Sequence, residues 1–154
     1  MAYTLFEFPL ADEAATGALA TQIAGRLKPG DTLLLEGEIG AGKSAFARAL
    51  IRARLGRIED VPSPTFTLVQ TYEDAAGDIW HCDLYRLSHP DEALELGLDE
   101  AFETAICLVE WPDRLGDVAP KTALTLAFVA QHDQHHVTVS GPAFWADRLR
   151  GLDA

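Results

Sequence analysis

The octapeptide Gly37-Glu38-Ile39-Gly40-Ala41-Gly42-Lys43-Ser44 constrains this chain more than any other stretch. It satisfies G-x-x-x-x-G-K-[ST] at every specified position and stands between two segments of different periodicity. Before it, Thr32 to Glu36 is an apolar run flanked by turn residues, too short for a helix and suited to a buried strand. After it, Phe46/Leu50 and Ile51/Leu55 pair at i, i+4, which predicts a helix over 43–55 stopped by a left-handed Gly56. Strand, glycine loop and helix in direct succession make a phosphate cradle. Glycines let backbone N–H groups curl inward, and the helix presents its positive end to the same charge. Lys43 is expected to bridge the β- and γ-phosphates of a nucleoside triphosphate. Ser44 is expected to give its hydroxyl to Mg2+, which prefers oxygen ligands in near-octahedral array. The expected nucleotide-binding stretch runs from Gly37 through Ser44 with Ala45 behind it.

The rest of the chain supplies elements for an α/β fold around that unit. Thr4 to Phe8 reads as a strand, and Asp12 offers an N-cap to a helix carrying Ala15, Leu19, Ile23 and Leu27 at fourfold spacing, ended by Pro29-Gly30. Val61-Pro62-Ser63-Pro64 is held extended by its prolines. Thr65 to Tyr72 and Ile79 to Tyr85 then read as an antiparallel hairpin around the polar turn 74–77. Ser88 with Pro90 and Asp91 opens a short helix, Ala105 to Val109 is a buried strand, and Thr122 to Val129 with His136 to Ser140 make a closing pair. The expectation is one domain over 1–154: a P-loop NTPase-like three-layer sandwich, with a mixed central sheet flanked by helices.

Charge and cysteine usage narrow the partners. With 24 acidic against 12 basic residues the net charge is -12, a field that repels phosphate backbones and membrane surfaces. Any nucleic-acid role is therefore expected to be indirect. Cys82 and Cys107 lack framework spacing and read as reduced, buried thiols. With no signal peptide pattern or membrane-spanning run, a cytoplasmic protein is expected.

A magnesium site also needs a carboxylate at the end of a neighbouring strand. Asp83 ends the rather polar run Ile79-Trp80-His81-Cys82, and Glu110 ends the fully apolar Ile106-Cys107-Leu108-Val109, so pattern favours Glu110. Either acid can hold the ion while the other orients the attacking water, and the sequence leaves that open. Ser63 and Thr65 flank Pro64 where a hydroxyl can sense the γ-phosphate, although an ordinary turn fits the same residues. Trp111 reads more readily as packing than as a nucleotide contact. Arg86 serves equally as a partner for acids near the site or as surface. His132, Asp133, His135 and His136 fall at a hairpin turn and read as exposed turn residues in preference to metal ligands.

Three classes of protein share such a loop. A GTPase would carry an Asn-Lys-x-Asp type element, which does not occur here, so adenine is the better expectation. A small-molecule kinase, the alternative reading, would add a helical lid with arginines, yet no arginine lies between Gly116 and Asp147. A regulatory ATPase with a switch segment suits the chain best.

The ordered set Gly37 to Ser44, Ser63-Pro64-Thr65-Phe66, His81-Cys82-Asp83-Leu84-Tyr85-Arg86, Glu95-Leu96-Gly97 and Glu110-Trp111-Pro112 resembles the TsaE (YjeE) family. The resemblance implies an ATPase that supports threonylcarbamoyladenosine modification of tRNA with TsaD and TsaB as partners, reaching tRNA only through them. It implies Lys43 and Ser44 as phosphate and Mg2+ ligands and Thr65 as a switch residue. It places Asp83 and Glu110 at the metal and the hydrolytic water, and Trp111 beside the nucleotide. Slow hydrolysis by the isolated protein is expected because no arginine finger is evident near the loop.

Overall fold

The computed structural model describes residues 3–38, 40–57, 59–64 and 66–152. Ile39, expected to contact nucleotide, and Thr65, expected to act as a switch, lie outside the described residues. In chain order the elements are β1 (Tyr3–Leu10), α1 (Glu13–Ala24), β2 (Thr32–Glu36), α2 (Lys43–Leu55), β3 (Val69–Glu73), β4 (Asp78–Asp83), α3 (Asp91–Glu95), α4 (Leu98–Thr104), β5 (Ile106–Glu110), a 3-10 segment (Pro112–Val118), β6 (Leu124–Ala130), β7 (His135–Gly141) and α5 (Phe144–Arg148).

The strands form one seven-stranded sheet in the order β1-β7-β6-β2-β5-β4-β3. β2 pairs in parallel with both β5 and β6, and β4 pairs in parallel with β5, so the loops after β2, β4 and β5 leave the sheet at the same end. β1, β7 and β3 complete the sheet through antiparallel pairs, giving the expected mixed sheet.

Period-2 alternation assigns the two faces. Leu33, Leu35, Ile106 and Leu108 point into a core shared with Leu19 and Ile23 of α1, Phe46 and Leu50 of α2, and Trp145 of α5. Cys82, Cys107 and Val109 point the other way, against Ala93 of α3, Leu98 and Phe102 of α4, and Leu115. Helices thus cover both faces, the three-layer arrangement that parallel strands require. Both cysteines are free and buried, and burial pushes the Cys107 thiol up to about 12 and raises that of Cys82 as well.

Several local expectations are met closely. The Asp12 carboxylate caps α1 by accepting from the Ala15 N–H at 2.8 Å, and α2 ends on Gly56 at φ 71°. Others are corrected. The strand expected from Thr65 begins only at Val69, because Leu68 adopts φ 68° and its N–H closes a turn onto the Pro64 carbonyl at 2.7 Å. The single short helix after Ser88 is two, α3 and α4, separated by Gly97 at φ 84°. The 3-10 segment and α5 had no counterpart in the sequence reading, since both are too short to show helical periodicity. Among the described residues, no helix is long and apolar enough to cross a membrane.

A part-buried ion pair ties α2 to the β3–β4 turn. The Arg54 Nε donates to Asp74 Oδ2 at 2.7 Å while its Nη1 donates to the carbonyls of Ala24 and Leu27. Burial by itself would raise the Asp74 pKa. The Arg54 hydrogen bond and the Ala76 and Gly77 N–H groups outweigh it and hold the carboxyl below its ordinary value. A depressed carboxylate stabilises the fold above its unfolded pKa, and that contribution is lost as pH falls through the folded value. Arg54→Met is therefore expected to cost about 1.5–3 kcal/mol near neutrality. The gap to the parent should shrink on acidification; denaturant unfolding at several pH values checks both, and a pH-independent gap contradicts the assignment.

Candidate functional site

The glycine loop leaves β2 in the middle of the sheet and feeds α2 at the carboxyl end of the parallel strands, where ligands of open α/β sheets bind. Its backbone needs glycine. Gly37 has φ 138°, and a Cβ there would lie 2.5 Å from the Phe128 carbonyl oxygen; Gly40 and Gly42 also have positive φ. Within the loop the Ala41 N–H bonds the Glu38 carbonyl at 3.1 Å, and the Phe46 N–H bonds that of Gly42 at 3.0 Å, starting α2.

A cavity of about 560 Å³ opens in front of this loop. At one end stand Ser44, Asp83 and Glu110. The parallel register sets Asp83 opposite Glu110, so both expected acids come to one place, and both are buried. The Ser44 hydroxyl donates to Glu110 Oε1 at 3.1 Å. Glu110 Oε2 lies 2.7 Å from His81 Nε2, and Asp83 Oδ1 accepts from the Tyr85 N–H at 3.0 Å. Of the two acids, Glu110 is the one in contact with Ser44.

Lys43 is 5% exposed and its Nζ has no hydrogen-bond acceptor among the described residues. The ammonium lies instead 3.6 Å from the centroid of the Trp111 ring. Burial lowers the Lys43 pKa, against the opposing pull of Glu110, Asp83 and Asp113. Trp111 holds φ 59°, ψ 53°, a left-handed backbone uncommon for a bulky residue, and packs against Tyr85 with centroids 4.9 Å apart. The packing role expected of Trp111 is therefore only half the account: the ring also forms cavity wall and lysine platform.

Other residues lining the cavity were not legible in the sequence. Glu13 and Thr16 of α1, Arg48 of α2 and His135 of β7 line it. His135 is not the exposed turn residue expected; it is the first residue of β7, partly buried, and a Cβ on Gly42 would come within 3.3 Å of its Nδ1. His132 and Asp133 do sit exposed before that strand. Among the described residues, no group of three His, Cys, Asp or Glu side chains is arranged to hold a metal ion. Arg48 was missed because it lies four residues beyond Ser44 on a helix whose other arginines, 52 and 54, make structural bonds away from the cavity. Arg86 is exposed over the Phe66 ring at 5.5 Å and does not line the cavity.

Comparison with known proteins agrees with this architecture. The family model described as threonylcarbamoyl adenosine biosynthesis protein TsaE matches residues 10–138. The chain is 41% identical over 111 residues to the tRNA threonylcarbamoyladenosine biosynthesis protein TsaE of Rickettsia bellii, an alignment covering 72% of this chain and 77% of that protein. It is 39% identical over 125 residues to the Bacillus subtilis protein of the same name, covering 80% and 77% respectively. The crystal structure of Bacillus subtilis YdiB superposes with a TM-score of 0.79 at 30% identity, covering 97% of this chain and 93% of that one. With a family match over most of its length and a shared fold, the chain belongs to the TsaE family of threonylcarbamoyl adenosine biosynthesis proteins.

Proposed function

We propose that this protein binds and hydrolyses ATP with Mg2+ in the cavity above the glycine loop. We further propose that it serves threonylcarbamoyladenosine modification of tRNA as a nucleotide-dependent regulator of the TsaD–TsaB pair. The observation that carries the reading is the buried Lys43 ammonium beside the loop, with no hydrogen-bond acceptor among the described residues and resting on an aromatic face. An unsatisfied buried cation in a cradle of positive-φ glycines is built to receive an anion.

The donor set also suits Mg2+. Ser44, Glu110 and Asp83 offer oxygens only, and a cation held by them would offset the charge of two carboxylates beside a triphosphate. Ser44 and Glu110 would hold the ion, with Asp83 facing them across the strand register. Bound there, the ion would offset charge building on the transferring phosphoryl group. On this reading Lys43 would serve the phosphate oxygens of the nucleotide, and whichever of Asp83 and Glu110 does not hold the ion would act on the water. Ala45 at the start of α2 and Trp111 on the cavity wall border the bound nucleotide.

Thr65 remains the proposed switch residue. The segment after it is tied to the site, because the Leu68 carbonyl accepts from the Asp83 N–H at 2.9 Å. A rearrangement of this segment around nucleotide would be felt at Phe66, which is 83% exposed and available to a partner. The acidic charge fits a protein that reaches tRNA through TsaD and TsaB.

ATP turnover by the purified chain, alone and with TsaD–TsaB, tests the proposal. Slow turnover alone that rises with the pair is expected. Turnover indifferent to the pair, with complex formation equally good in the absence of ATP, would sink the regulatory reading.

A further inference from the structure

His81 occupies a position the fold would otherwise fill with an apolar side chain. It lies on β4 between Ile79 and Asp83 on the α1/α2 face, opposite Leu108 of β5, and is 2% exposed. An imidazole in such surroundings is costly to bury unless it is hydrogen bonded. Its one bond is the 2.7 Å contact from Nε2 to Glu110 Oε2, and Nδ1 has no partner among the described residues. With the proton on Nε2, the ring donates to the carboxylate and leaves only a bare lone pair at Nδ1, cheaper to bury than an unpaired N–H. Glu110 is thus gripped at one oxygen by His81 while the other accepts from the Ser44 hydroxyl at 3.1 Å.

We infer that His81 is a positioning residue: by pinning Glu110 Oε2 it turns Oε1 toward Ser44 and fixes the carboxylate that shapes the ion end of the cavity. The inference deepens the nucleotide reading proposed above and rests on it. The register explains the choice of residue. His81 sits two positions before Asp83, whose strand partner is Glu110, so an imidazole reaches diagonally across one parallel pair to the neighbouring strand end. Losing such a partner typically weakens a metal site about 10–100-fold.

The pair His81→Gln and His81→Asn isolates the role, because a glutamine amide reaches the place of Nε2 and an asparagine amide only that of Nδ1. Mn2+ is titrated into the 1:1 complex of full-length protein with ADP and followed by electron paramagnetic resonance, with ADP affinity in EDTA and thermal midpoint measured alongside. His81→Asn should weaken Mn2+ binding about ten-fold or more, leaving ADP affinity in EDTA within about twofold, and His81→Gln should restore most of it. In a Glu110→Gln background, His81→Asn should cost no further Mn2+ affinity. Equal Mn2+ binding by His81→Asn and the parent, or the same loss in both backgrounds, overturns the inference. A second readout leaves His81 intact: its Nε2 proton should shift in NMR when Mg2+ is added to the ADP complex, and an unmoved resonance counts against the role. If the parent binds neither ADP nor Mn2+, the nucleotide reading itself fails, which is a different result from a parent that binds and a variant that matches it.

Discussion

Lys43→Met is expected to reduce ATP turnover with TsaD–TsaB by at least about 10²–10³-fold, the usual cost of removing one preorganised donor to developing charge. The same change should leave the thermal midpoint of the nucleotide-free protein unchanged or higher. Both halves follow from one geometry. The ammonium is buried without a hydrogen-bond acceptor among the described residues, and a thioether of similar length packs well on the Trp111 ring. The pH dependence carries a sign. Burial lowers the Lys43 pKa, so between that folded value and the ordinary lysine range the unfolded chain binds more protons, and stability rises with pH. The methionine variant should lack this rise. Unfolding monitored from neutral to alkaline pH, beside turnover, checks the pair of outcomes. A variant that unfolds more easily at every pH would show that Lys43 holds the loop together instead of waiting for a ligand.

Glu110→Gln should likewise lower turnover by about 10²–10³-fold and raise the Mg2+ concentration needed for half-maximal rate, with little change in ATP affinity in EDTA. Asp83→Asn should raise the Mg2+ requirement less. The difference rests on Glu110 being the acid in contact with the Ser44 hydroxyl. Glutamine keeps the volume and an acceptor for His81, so a fold defect is not expected to confuse the comparison. Turnover measured against Mg2+ for both variants settles the order. A larger shift for Asp83→Asn would exchange the two roles.

The legibility of this site in the sequence followed the range of the interactions. The bounds of β2 and α2 agree with the sequence reading to the residue, because a short apolar run, a glycine motif and i, i+4 pairs are all local signals. Asp83 and Glu110 end β4 and β5 as expected, again from local pattern. The hairpin boundary at Thr65 was misplaced for a reason of the same kind: proline and threonine speak for extended chain, whereas Leu68 turns left-handed to meet the Pro64 carbonyl. Glu13, Thr16, Arg48 and His135 were missed because each carries an ordinary signal in its own element, and only packing aims them at one cavity.

By itself, then, the sequence determined the strand, glycine loop and helix, the pair of candidate acids, the α/β class and, through its motif order, the family. The tertiary structure decided which acid meets Ser44, that Lys43 rests on Trp111, and that His81 grips Glu110. Periodicity and capping are written over a few neighbouring residues, so they survive in one dimension. The contact between Ser44 and Glu110 spans 66 positions and that between His81 and Glu110 spans 29. Such contacts exist only once parallel pairing has set β2, β5 and β4 in register, with every second side chain turned to the same face.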